Sequence, residues 1–125
     1  MSKKILIVDD SMTTLAMESM ILQGKYQLCK ARDGEEAVAR ALAEKPDLIL
    51  LDVVMPKLDG FSACAQLRQH EQTRETPIIM VTTRGEEANL EQGYSAGCTD
   101  YVTKPINAAE LLSKVRNYLA DGTGS

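Results

Sequence analysis

The sequence predicts an α/β domain, a doubly wound parallel sheet of five strands with helices on both faces. Three observations carry that expectation. A short run rich in Ile, Leu and Val, a few turn-forming residues and a segment of helical apolar spacing recur in this order five times. The run Leu48–Leu51 is apolar at every position, as a central parallel strand covered on both faces should be. The length of 125 residues, 44% of them hydrophobic, fits one compact domain and leaves no room for a second.

The first strand is read as Ile5 to Val8, ending at Asp9-Asp10-Ser11. A helix follows through Leu15, Ala16, Ser19 and Met20 up to Gly24, with Asp10 or Ser11 able to cap it. Gln27 to Ala31 is a second, weaker strand. Asp33-Gly34 turns the chain into a helix whose Ala37, Val38, Ala41 and Leu42 share a face, and Pro46 ends it. The third strand, Leu48 to Leu51, runs straight into Asp52. After Pro56 and Gly60 a helix carries Phe61, Cys64 and Leu67, and Thr76-Pro77 leads into a fourth strand, Ile78 to Val81, closed by Thr82. Glu86 to about Ala96 is a fourth helix with Gly97 beyond its end, and Asp100 to Thr103 is the fifth strand. In the last helix, Asn107 to Leu119, the residues Leu111, Leu112, Val115 and Leu119 form a stripe that should dock on the sheet. The domain is assigned to residues 1–120, and Asp121-Gly-Thr-Gly-Ser125 reads as a flexible tail, a linker stub or an expression scar. Right-handed crossovers between such units favour strand order 2-1-3-4-5, the flavodoxin-like arrangement.

Composition excludes several classes of function. Lys plus Arg number 14 and Asp plus Glu 18, a net charge of −4 that disfavours direct nucleic-acid binding. No run without a charged residue exceeds eight, against about 20 apolar residues needed to span a bilayer, so no membrane segment is expected. The amino terminus, Met1-Ser2-Lys3-Lys4 and four apolar residues, falls short of a secretory hydrophobic region, and the expected location is the cytoplasm. Cys29, Cys64 and Cys98, widely spaced and accompanied by the single His70, cannot form a zinc cluster or a disulfide framework. They read as small apolar groups of the interior.

In a doubly wound sheet, ligands bind beyond the carboxyl ends of the strands, where the strand order reverses between strands one and three. Here strand one ends at Asp9-Asp10, strand three at Asp52 and strand four at Thr82, while strand five leads into Lys104-Pro105. Like charges about 4 Å apart repel by about 4 kcal/mol at an effective dielectric of about 20, so three acids at neighbouring strand ends ask for a cation. Lys104 supplies one positive charge. A divalent ion such as Mg2+, held by one or two carboxylates, waters and phosphate oxygens, supplies the rest. Metal, ammonium and hydroxyl around a carboxylate suit phosphoryl transfer, with Asp52 as nucleophile.

These residues resemble a response-regulator receiver domain of two-component signalling, of the single-domain chemotaxis type in size. The resemblance runs from Lys4 to about Leu119. Its motifs are Ile-Leu-Ile-Val-Asp9-Asp10-Ser11, Leu51-Asp52-Val-Val-Met55-Pro56 with Asp59-Gly60, Ile79-Met-Val-Thr82, Ala96-Gly97 and Asp100-Tyr101-Val-Thr-Lys104-Pro105. The resemblance implies that Asp52 is the phosphoacceptor, Thr82 the hydroxyl that meets the phosphoryl group, Lys104 the lysine that pairs with it and Tyr101 the aromatic switch. Asp10 and Asp52 would ligate Mg2+ together with the Val54 carbonyl, and Asp9 mostly through water; Mn2+ can stand in for Mg2+. The Lys104–Pro105 bond is expected to be cis.

The implied function is a switch that takes a phosphoryl group from a sensor histidine kinase or phosphotransfer protein. In doing so it reshapes the surface of helix four, strand five and helix five toward an unknown protein target. The domain would catalyse its own modification without being a conventional turnover enzyme. Two alternatives stand beside it: a degenerate receiver acting as a constitutive interaction module, and a flavin carrier of the same topology. The chain offers the carrier two aspartates after strand one, no Trp and a single Phe. Val54 and Arg84 depart from the amide and acid of the chemotaxis-type pattern that flank the hydrolytic water, and the expectation is a longer-lived aspartyl phosphate.

Overall fold

The computed structural model describes residues 3–53, 58–83 and 88–119. Strands β1 (Lys4–Val8), β2 (Gln27–Ala31), β3 (Leu48–Asp52), β4 (Ile78–Thr83) and β5 (Asp100–Lys104) alternate with helices α1 (Met12–Leu22), α2 (Gly34–Glu44), α3 (Gly60–Gln69), α4 (Ala88–Ala96) and α5 (Ala108–Leu119). The strands form one sheet in the order β2-β1-β3-β4-β5, every pair parallel, which is the architecture expected from the sequence.

Alternation of side chains along the strands divides the interior into two layers. Leu6, Val8, Ile49, Leu51, Ile78 and Met80 face Ala37 and Ala41 of α2 and Ala63, Cys64 and Leu67 of α3. Ile5, Ile7, Leu48, Leu50, Ile79, Val81 and Val102 face Leu15 and Leu22 of α1 and Leu111 and Val115 of α5. Leu48 to Leu51 are fully buried, each such side chain contributing about 1.5–3 kcal/mol. Cys64 and Cys98 are buried, Cys29 is half-buried, and all three are free. Burial, joined by the neighbouring Cys64, pushes the Cys98 thiol up to about 11, so it stays protonated and apolar.

Helix starts are set by caps. Ser11 Oγ accepts the Thr14 N–H at 3.3 Å, and Asp33, Asp59 and Asn107 each accept an N–H three residues on, at 2.8, 2.8 and 2.9 Å. Asn107 is therefore the cap of α5 and not its first residue. The helix α1 ends at Leu22, two residues before Gly24, and α2 ends at Glu44, with Lys45 left-handed ahead of Pro46. Strands run one or two residues beyond their apolar stretches. Asp52 pairs with Val81 and Thr83 with Lys104, because a ladder continues wherever both backbones stay in register, whatever the side chains. Glu86, the expected start of the fourth helix, and the tail 121–125 lie outside the described residues. No helix among the described residues is long and apolar enough to cross a membrane.

Arg68 ties three segments together. Its guanidinium donates to the carbonyls of Thr73, Arg74 and Thr76 at 2.9, 3.0 and 2.7 Å, to the Gly97 carbonyl at 2.8 Å and to Thr99 Oγ1 at 3.3 Å. Gly97 has a φ of +106°, and a Cβ there would stand 2.8 Å from Arg68 Cγ, so glycine is required twice over. Arg68→Ala is expected to lower unfolding free energy by about 2 kcal/mol in urea denaturation, since several carbonyls lose a charged donor. Arg68→Lys should recover only part, because an ammonium cannot reproduce the five-donor fork. An unchanged urea midpoint in the alanine variant would show that water replaces the arginine fully.

Candidate functional site

The ends of β1, β3 and β5 place their polar residues in one cluster. Asp9 follows β1 with its N–H on the Ala31 carbonyl at 3.1 Å, and its Oδ1 accepts the Ser11 N–H at 2.9 Å, which fixes the carboxylate. Asp9 is fully buried and Asp52 is 5% exposed, whereas Asp10 is exposed. One carboxylate oxygen from each of Asp9, Asp10 and Asp52 lies within 4.8 Å of the others. Lys104 Nζ reaches in from the end of β5, 3.3 Å from Asp9 Oδ2 and 3.4 Å from Asp52 Oδ1. The Lys104–Pro105 bond is cis.

The start of α3 presses against this site. Gly60 donates its N–H to the Val53 carbonyl at 2.9 Å, and a Cβ on Gly60 would stand 2.2 Å from the Asp52 carbonyl oxygen. Only glycine allows the approach. Thr82 is buried near the end of β4, next to Val81, which is the register partner of Asp52. Tyr101 is half-buried on β5, packed against the layer under α3 and α4, and its ring meets Tyr94 edge-on with centroids 6.4 Å apart. Val54 and Arg84, the residues expected to govern hydrolysis, lie outside the described residues, as do Met55 and Pro56.

The electrostatics follow from burial and crowding. Burial, then the Asp9 charge, pushes the Asp52 carboxyl up to about 6 against the pull of Lys104, and it remains mostly ionised at neutral pH. For Lys104, burial works against the ammonium, but Asp52 and Asp9 outweigh it and hold its pKa above the usual value. The excess of acid over base fits a hard cation bound through oxygen. Asp9 Oδ2 and Asp52 Oδ1 are both covered by the one Lys104 ammonium, which leaves the exposed Asp10 carboxylate and the remaining carboxylate lone pairs to such an ion.

Sequence reasoning missed one acid. Glu18 of α1 is 1% exposed, lies between Leu15 and Leu22 on the buried face of the helix, and has an oxygen with no hydrogen-bond partner. Burial, then repulsion from Asp9, raises its pKa to about 8. A signal was available in the i, i+3, i+7 stripe of Leu15, Glu18 and Leu22. Met12, Met17 and Met20 stand on the exposed side of the same helix.

Comparison with known proteins supplies the wider setting. The chain is 46% identical over 121 residues to the alkaline phosphatase synthesis transcriptional regulatory protein PhoP of Bacillus subtilis, covering 95% of this chain but 49% of that protein. It is 42% identical over 118 residues to protein PilH of Pseudomonas aeruginosa, covering 94% of this chain and 98% of PilH. The chain thus spans about half of the first relative and nearly all of the second. A crystal structure of the receiver domain of sensor histidine kinase PA1611 from Pseudomonas aeruginosa, with a magnesium ion coordinated in its active-site cleft, superposes with a TM-score of 0.89. It shares 31% identity, covering 97% of this chain and 100% of that one. None of these relatives supports the flavin alternative. Residues 5–116 match the response regulator receiver domain family, and the chain belongs to it as a receiver domain of two-component signalling.

Proposed function

We propose that Asp52 is the phosphoacceptor of a switch driven by a histidine kinase or phosphotransfer protein. The observation that supports it most is the approach of Lys104 Nζ to both Asp9 and Asp52 beside three converging carboxylates. An Asp52 carboxylate oxygen attacks the phosphorus of a phosphohistidine. The new O–P bond forms as the N–P bond breaks, and the imidazole leaves with that electron pair. Lys104 compensates negative charge on the phosphoryl oxygens, and Thr82 donates its hydroxyl to one of them. Asp10, Asp52 and the Val54 carbonyl would hold Mg2+ or Mn2+, with Asp9 acting mostly through water. Bound there, the ion neutralises charge and orients the phosphoryl group.

Movement of Thr82 toward the phosphoryl group frees space for Tyr101 to turn inward, which changes the α4–β5–α5 surface offered to a protein target. The setting is the cytoplasm, with no direct contact to nucleic acid or membrane. Incubation with a small acyl phosphate and Mg2+ is expected to add one phosphoryl group by intact mass, with none added in EDTA. A chain that takes up no phosphoryl group and ignores beryllofluoride with Mg2+ would instead be a constitutive interaction module.

Val54 and Arg84 set the lifetime of the product. Valine cannot orient a water, and an arginine, unlike an acid, has no acceptor with which to draw a water in. In excess Mg2+, the double variant Val54→Asn/Arg84→Glu is expected to lose its phosphoryl group about three- to tenfold faster than the parent. Equal or slower decay would show that these side chains do not control the water.

A further inference from the structure

Beside the proposed switch residue lies a cluster that the phosphoryl chemistry does not use. Lys114 of α5 places its ammonium 4.9 Å from the centroid of the Tyr101 ring. The same nitrogen donates to the Tyr101 carbonyl at 2.6 Å and to Asp100 Oδ1 at 3.0 Å. Asp100 is itself fixed, since Oδ1 accepts the Tyr101 N–H at 2.7 Å and Oδ2 accepts the Tyr118 hydroxyl at 2.8 Å. These bonds hold the Asp100 carboxyl below the usual carboxylate range in spite of its burial, so it anchors the ammonium as an anion.

The contacts divide into two kinds. Those to the Tyr101 carbonyl and to Asp100 involve atoms that stay in place when the Tyr101 ring turns. The contact with the ring face is made in the present rotamer, in which the ring also meets Tyr94 edge-on, and a turn of the ring away from α5 breaks it. A contact made in one state alone shifts the equilibrium toward that state by its full strength. We propose that Lys114 is a positioning residue that holds the Tyr101 ring in its resting rotamer, so that a higher phosphoryl occupancy is needed to turn it. This rests on the reading of Tyr101 as the switch.

The test uses the chain labelled with 3-fluorotyrosine, which carries four tyrosines, with the Tyr101 signal assigned through Tyr101→Phe. Fluorine NMR follows that signal as beryllofluoride is titrated in excess Mg2+. In Lys114→Met the midpoint is expected to fall about two- to fivefold, because the ring no longer leaves a cation behind. Lys114→Gln keeps a donor for Asp100 but no charge, and should shift the midpoint the same way if the methionine variant folds poorly. Lys114→Arg restores a cation over the ring and should return the midpoint toward the parent value. A Tyr101 signal that moves at the parental midpoint in both neutral variants overturns the role of Lys114 and leaves the switch intact. A parental Tyr101 signal that stays fixed at saturating analogue overturns the switch and this inference with it.

Discussion

Asp52→Asn is expected to carry no phosphoryl group after incubation with a kinase or an acyl phosphate, while its fold remains intact and gains stability above pH 6. The first effect follows from chemistry, since an amide has no nucleophilic oxyanion to offer phosphorus. The second follows from the site. Asp52 is 5% exposed, and burial together with Asp9 raises its pKa from 3.8 to about 6. Below 3.8 the carboxyl is neutral in both folded and unfolded chains and costs nothing. Between 3.8 and 6 the folded chain keeps a proton that the unfolded chain releases, so stability falls as pH rises, and above 6 the full penalty is present. Asparagine removes that penalty, and Lys104 retains Asp9 at 3.3 Å. Urea unfolding in EDTA at pH 7.5 should show a gain of roughly 1–2 kcal/mol that vanishes at pH 3.5. A phosphoryl group incorporated at the normal rate would require another acceptor, and equal stability at pH 7.5 would mean that Lys104 balances the charge of Asp52.

Glu18→Gln is expected to flatten the remaining pH dependence. Its pKa rises from 4.5 to about 8, so across that window the folded chain holds a proton the unfolded chain gives up. One linked proton lowers stability by up to about 1.4 kcal/mol per pH unit. The protein without metal should therefore lose stability from pH 5 to pH 8.5, and the glutamine variant should lose much less. Glu18→Leu extends the apolar stripe of Leu15 and Leu22 and should be the more stable of the two at every pH. Parallel slopes for parent and Glu18→Gln in EDTA would show that Glu18 is ionised or well solvated in the folded chain.

The acid cluster was legible because three carboxylates and a lysine sit at strand ends, and strand ends can be read from apolar runs bounded by polar residues. Glu18 escaped notice for the opposite reason. The helix α1 is apolar almost all the way round, with Met12, Met17 and Met20 exposed beside the buried Leu15 and Leu22, so periodicity does not mark the face that meets the sheet. Arg68 was equally hidden, for its partners Gly97 and Thr99 lie 29 and 31 residues away and one of them offers only a backbone carbonyl. The same holds for Lys114, whose place over Tyr101 depends on how α5 crosses β5.

By itself the sequence determined the strand and helix order, the parallel sheet and the clustering of Asp9, Asp10, Asp52 and Lys104 at one edge. These follow from hydrophobic spacing, caps and turn residues acting between near neighbours in the chain. Only the tertiary structure decided how far each strand extends, which charges are stripped of water and which cation covers which ring. Desolvation and long-range contact are properties of packed surfaces, and residues far apart in the chain acquire them together only when the two layers close on the sheet.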